Sequence, residues 1–224
     1  MFSFFHIYGF LIGIGVLLAF EVSSRVAKKQ GLDQMVLDSV FWFVLIGGIV
    51  GARAYHVIDY WQRYYQFNLL KTLFVWEGGL GIWGGIIGGA IGLWIYKWLK
   101  APKSIRLLKV MDCVVVGVPL AQAIGRLGNY FNNELWGINH LPLFAIESVL
   151  DLILFGILWK LAARVPKSAV ITGSYFVGYG IIRFCLEWLR PTETIWKIAG
   201  FPTASIISIA AIGSGILFIW WSRR

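Results

Sequence analysis

The stretch GRLGNYFNNELWG, residues 125–137, closes an apolar run with one cation, three amides, a phenol and a carboxylate. They are Arg126, Asn129, Tyr130, Asn132, Asn133 and Glu134. An ionisable group held within a bilayer costs about 2.5–3.5 kcal/mol on insertion scales, so such groups tend to line a cavity and serve it. The plainer reading is a polar cap where a helix leaves lipid. A second group lies further on. Tyr179, Arg183 and Glu187 recur every four residues, Arg190 follows three later, and Pro191 ends the run. At helical spacing they form one polar stripe on an apolar helix, the pattern of a polar cavity or of a buried salt bridge that fixes register. Glu147 and Asp151, again four apart, share a face of the helix between these two groups. Arg53 sits inside another apolar run and requires an anionic or carbonyl partner. His56 reads as a packing histidine. No HxxxH or HExxH spacing occurs, so no metal site is expected.

The elements that must carry these residues follow from composition. The 224 residues are 58% hydrophobic and 14% charged, against roughly 25% charged in a soluble domain. Mean hydropathy is +0.74. This is the composition of an all-α integral membrane protein, expected as one polytopic transmembrane domain over 1–224. Seven apolar stretches, at 4–21, 37–58, 79–99, 110–131, 143–163, 170–189 and 201–221, are each long enough to span roughly 30 Å of hydrocarbon. The N-terminus, MFSFFHIYGF, lacks a basic region, so the first stretch is expected to remain as a helix. Lys and Arg concentrate after the first, third and fifth stretches and at the C-terminus, which predicts an outside N-terminus and a cytoplasmic C-terminus. Residues 125–137 then lie at the outer end of their helix. The net charge of +9 suits loops facing anionic lipid and is no nucleic-acid signature. Cys113 and Cys185, both in apolar stretches, support neither a disulfide framework nor a metal pair.

Residues 59–78 are rich in Trp and Tyr and read as an amphipathic outer segment at headgroup level. In the third stretch Gly81, Gly85 and Gly89 repeat every four residues, as do Gly84, Gly88 and Gly92, which predicts close helix packing. Trp83 lies among them. Tyr8, near the outer end of the first stretch, reads from composition as an interfacial anchor. Asp112 is expected to pair locally.

These residues resemble a known family, the prolipoprotein diacylglyceryl transferases of the bacterial cytoplasmic membrane. GRLGNYFNNELWG is similar to that family's G-R-x-G-N-[FY]-x-N-x-E-x-x-G signature at every fixed position, through Gly125, Arg126, Gly128, Asn129, Tyr130, Asn132, Glu134 and Gly137. Weaker likenesses follow in the family's order: Tyr8-Gly9, Gly51-Ala52-Arg53, Trp76-Glu77-Gly78-Gly79 with Gly84-Gly85, and Tyr179, Gly180, Arg183 and Glu187. Three features depart. Trp83 stands where the family often has histidine. Leu141 replaces a second histidine, beside His140, and Ile146-Glu147 stands where Tyr-Glu is usual. Only Ile138 to Leu141 replace a long outer arm.

The resemblance implies transfer of the diacylglyceryl group of phosphatidylglycerol to the cysteine thiol of a prolipoprotein signal peptide. The products are a thioether and glycerol phosphate. It implies multi-pass placement in the bacterial inner membrane, with membrane lipid, phosphatidylglycerol and signal peptides as partners and no organic or metal cofactor. Arg126 and Arg183 are then the expected phosphate holders, since a guanidinium is always charged and binds phosphate bidentately. Glu134 and Glu187 are expected to hold the arginines, and either could take the thiol proton. Tyr8, Arg53, Asn129, Gly137, Tyr179, Glu147 and Trp83 are the expected lipid-binding residues, Trp83 as a wall of the lipid cavity. The alternative is a relative that binds phospholipid without transferring it.

Overall fold

A computed structural model describes residues 5–102, 105–164 and 167–223. Lys103, Arg224 and the side chain of Glu77, all used in reading the sequence, lie outside the described set. The described chain forms eight α-helices: α1 (Phe5–Lys29), α2 (Gln34–Asp59), α3 (Ile82–Leu99), α4 (Leu107–Val115), α5 (Val118–Phe131), α6 (Leu143–Ala162), α7 (Val170–Glu187) and α8 (Thr203–Ser222). A two-residue hairpin, β1 (Lys197–Ile198) with β2 (Phe201–Pro202), precedes α8. Helices α1, α2, α3 and α8 are long and apolar enough to cross a membrane, and α4 with α5 would add a fifth span. The chain is a multi-pass, all-α membrane protein. Its many exposed large apolar side chains, such as Phe10, Ile58, Ile86 and Leu217, are what a lipid-facing surface requires.

The seven predicted stretches map onto these helices with one change. The fourth is not a single helix. It breaks at Val116-Gly117, where α4 and α5 meet at 41°. Pro119 stands at the start of α5 and has no N–H to bond the Val115 carbonyl, which ends the α4 ladder there. Gly117 lies flat against the backbone of Ala19, closer than any side chain would permit.

The contacts group the helices into two compact units. One comprises residues 1–32 and 106–224. In it α1 packs on α4 and α5, α5 on α6, α6 on α7, and α7 on both α4 and α8. Gly173 meets the Gly215 backbone so closely that a Cβ on either would clash with the other's carbonyl, which brings α7 and α8 together. Asp112, expected to pair locally, instead reaches the start of α7. Its carboxylate accepts from the Ala169 N–H at 2.6 Å, the Thr172 N–H at 2.7 Å and the Thr172 hydroxyl at 2.6 Å. It thereby satisfies donors that a helix N-terminus leaves unpaired, from a neighbouring helix.

The other unit is residues 33–105. Asp33 caps α2 by accepting from the Met35 N–H at 2.9 Å. The α2–α3 seam is made of backbone: Gly47 and Gly51 lie against Gly88 and Gly84, and Gly92 against the Phe43 carbonyl. Of the two glycine rows, Gly84, Gly88 and Gly92 form the tight contact, while Gly85 and Gly89 have ordinary van der Waals room. Between the helices the expected amphipathic segment is three short 3-10 turns rather than a helix (Tyr65–Phe67, Leu69–Leu73, Val75–Glu77). Phe67, Leu69, Leu70, Leu73 and Trp76 stay exposed on it.

Candidate functional site

The polar groups of the first unit converge from three helices. Arg126 is on α5, Glu147 and Asp151 on α6, and Tyr179, Arg183 and Glu187 on α7. Glu147 is the hub. It is fully buried, and it takes both arginines: Arg126 Nη2 at 2.8 Å and Arg183 Nη1 at 3.1 Å. Glu187 lies 3.7 Å from Arg183 Nη2 and 3.4 Å from Arg190 Nη1, so the stripe on α7 closes into an ion-pair chain. The hydroxyl of Tyr179 accepts from Arg126 Nη2 at 3.4 Å. The arginine side chains retain 24% (Arg126) and 18% (Arg183) of their exposure, while the acid between them has none. Two guanidiniums are therefore held by one carboxylate, and part of each arginine side chain stays uncovered. That is a site for a small anion with several oxygens.

Among the described residues Glu134 holds no arginine, contrary to the expectation. It accepts from the Asn129 amide at 3.1 Å, and its own N–H donates to the Asn129 carbonyl at 2.8 Å. This double tie folds the chain back at the end of α5 and sets the Asn129 side chain, which is buried. Tyr8 lies against Gly128, where a Cβ would strike its ring. Gly137 donates to the Leu141 carbonyl at 2.7 Å and lies against the Leu189 carbonyl, which accepts from the Ile138 N–H at 2.9 Å. Its place is structural: no side chain fits between this loop and the end of α7.

Three residues of this cluster escaped the sequence reading as site members. Asp151, with Glu147, was expected only as an interior-facing acid to balance Arg126, Arg53 or Arg183. Tyr175 stacks on Tyr179 with ring centroids 5.7 Å apart, and its hydroxyl donates to Gln122 Oε1 at 3.3 Å. The signal was present in each case. Tyr175 is four residues before Tyr179 and Gln122 four before Arg126, so each continues a stripe that charge alone had marked.

Arg53 and Trp83 belong to the other unit. Arg53 is buried, and its partners are backbone carbonyls: Thr72 at 2.9 Å, Gly78 at 2.6 Å, Gly79 at 3.3 Å, and Lys71. The carbonyl half of the expectation is what occurs, and the arginine organises the segment between α2 and α3. Trp83, in the first turn of α3, is 37% exposed. It precedes Gly84 but lies off the tight seam.

A model of the prolipoprotein diacylglyceryl transferase family matches residues 2–221. The chain belongs to this family. Among curated relatives it is similar to the phosphatidylglycerol–prolipoprotein diacylglyceryl transferase of Streptococcus uberis, 36% identical over 98% of this chain and 91% of the relative. The enzymes of that name from Finegoldia magna and Symbiobacterium thermophilum are 34% and 33% identical, over 94% and 97% of this chain and 88% of each relative. The Streptococcus uberis alignment runs over 247 positions, more than this chain has residues, so the relative carries segments that are absent here. In this member of the family the signature GRLGNYFNNELWG divides its labour. Arg126 enters the ion cluster, Asn129 and Glu134 fix the turn, and Gly137 seats the loop on α7.

Proposed function

We propose that this chain transfers the diacylglyceryl group of phosphatidylglycerol to the cysteine thiol of prolipoprotein signal peptides, in the bacterial inner membrane. The observation that carries the reading is the pair of partly open arginines, Arg126 and Arg183, backed by the buried Glu147. The thiol sulfur attacks the glyceryl carbon, the carbon–oxygen bond to phosphate breaks, and glycerol phosphate leaves. The leaving phosphate gains negative charge as that bond breaks. Preformed cations at its oxygens stabilise the change without having to reorganise. The nucleophile arrives on the substrate.

In this reading Arg126 and Arg183 hold the phosphate, and Glu187 keeps Arg183 in place. Asn129, set by Glu134, and Tyr8 orient the headgroup. Tyr179 lies alongside Arg126. Glu147 acts through the arginines, Gly137 by shaping the loop, and Arg53 by holding the segment that joins α2 to α3. Trp83 offers an apolar surface to lipid. The wild-type protein in detergent or nanodiscs, given phosphatidylglycerol and a cysteine-containing signal peptide, should yield a peptide heavier by one diacylglyceryl group, read by mass. A wild-type protein that binds the lipid yet yields no thioether would leave the lipid-binding alternative standing.

A further inference from the structure

Asp151 has no place in the ion-pair chain, and its surroundings make that notable. It is fully buried, and neither carboxylate oxygen has a hydrogen-bond partner among the described residues. Burying a carboxylate without donors is costly unless another group balances its charge or it binds a proton. Arg126, Arg183 and Glu147 all lie in electrostatic range of it, as do Tyr175 and Tyr179 on α7. Counted formally, three guanidiniums (Arg126, Arg183, Arg190) face three carboxylates (Glu147, Asp151, Glu187), so the empty cluster is neutral. An arriving phosphodiester anion leaves it negative by one charge.

We infer that Asp151 receives the proton which the substrate thiol loses. The inference rests on the transfer reaction proposed above. The S–H bond breaks and its proton goes to a carboxylate oxygen of Asp151. The sulfur lone pair forms the S–C bond, and the electrons of the C–O bond go to the phosphate oxygen. The proton then passes to the departing glycerol phosphate, which is doubly charged at that moment, and the carboxylate is restored. Glu147 is the poorer acceptor of the two α6 acids, because two guanidiniums occupy its oxygens, whereas neither oxygen of Asp151 has a donor among the described residues. No histidine is needed at the position of Trp83.

The test is Asp151→Asn in the full-length protein, with phosphatidylglycerol vesicles and a signal peptide carrying cysteine or selenocysteine. A positioned base contributes about 10²–10⁴-fold, so kcat with the thiol peptide at pH 7 should fall by about 10²-fold or more while KM for the lipid changes little. The defect should shrink as pH rises past the thiol pKa of about 8.5. It should nearly vanish with selenocysteine, whose selenol is already ionised at pH 7. Thermal melting checks that the variant folds. If Asn does not fold, Asp151→Glu keeps the carboxylate, and its defect should likewise shrink with the selenocysteine peptide. An equal loss at every pH and with both nucleophiles would make Asp151 merely structural and overturn the inference, as would undiminished activity. A wild-type protein that transfers nothing to either peptide removes the transfer reading itself, and this inference with it.

Discussion

At the scale of single residues the energetic centre is Glu147. Removing one partner of a buried ion pair leaves the other unpaired, at a cost of about 3–5 kcal/mol. Glu147→Gln strands two arginines, so it should lower stability by that order and abolish transfer, measured by chemical unfolding and product mass. Glu187→Gln should cost less, because its arginine contacts are longer, at 3.4 and 3.7 Å. Arg126→Ala and Arg183→Ala should each abolish transfer while the protein still inserts, and lysine should rescue poorly for want of a planar fork. Full activity in either alanine variant would remove that arginine from the site. Trp83 makes a contrasting case. At 37% exposed it is not a core residue, so Trp83→Ala should cost well under the roughly 3–5 kcal/mol of a buried tryptophan. Trp83→Phe should keep most activity. Trp83→His should add no rate limb near the imidazole pKa of about 6.5.

At the scale of elements, two joints carry the architecture. Asp112 on α4 satisfies three donors at the start of α7, the helix that bears Tyr179, Arg183 and Glu187. Asp112→Ala leaves those donors buried and unpaired, at about 1–3 kcal/mol for each such group. The expected outcome is a lower melting temperature together with faster hydrogen exchange confined to the first turns of α7. Exchange that rises evenly over the chain would mean that the cap is not local. The second joint is the glycine seam of α2 and α3. A Cβ on Gly88 would meet the Gly47 carbonyl and the Gly51 Cα, both backbone atoms that cannot rotate away. Gly88→Leu should force these helices apart and destabilise the protein. Gly89→Ala, which meets only Val44 at 3.5 Å, should be tolerated.

At the scale of the whole molecule, the distribution of Lys and Arg predicts which end of each helix faces the cytoplasm. With Cys113 and Cys185 replaced, Arg63→Cys should react with an impermeant maleimide added outside intact cells, and Lys100→Cys only after permeabilisation. The reverse pattern would invert the topology and move the arginine cluster toward the other surface. The four site residues of the signature, Arg126, Asn129, Glu134 and Gly137, would move with it, because they share one helix end and the loop that follows.

What the sequence determined by itself was the class of the molecule and the cast of the site. Composition alone demands lipid, since so apolar a chain has no other solvent for its surface. Four-residue spacing alone places Tyr179, Arg183 and Glu187 on one face, because helical periodicity is a local property. The tertiary structure decided the partners. That Glu147 rather than Glu134 joins the two arginines depends on where α5, α6 and α7 approach one another, and no spacing within one helix encodes it. The same holds for Asp112, whose partners lie 57 and 60 residues away, and for Arg53, where carbonyls satisfy the cation as well as an acid would. The break at Val116-Gly117 was legible in Pro119, but its angle follows from how closely Gly117 lies on α1. Asp151 marks the limit most clearly. Its spacing was visible in the chain, but its lack of a donor is a property of the folded neighbourhood alone.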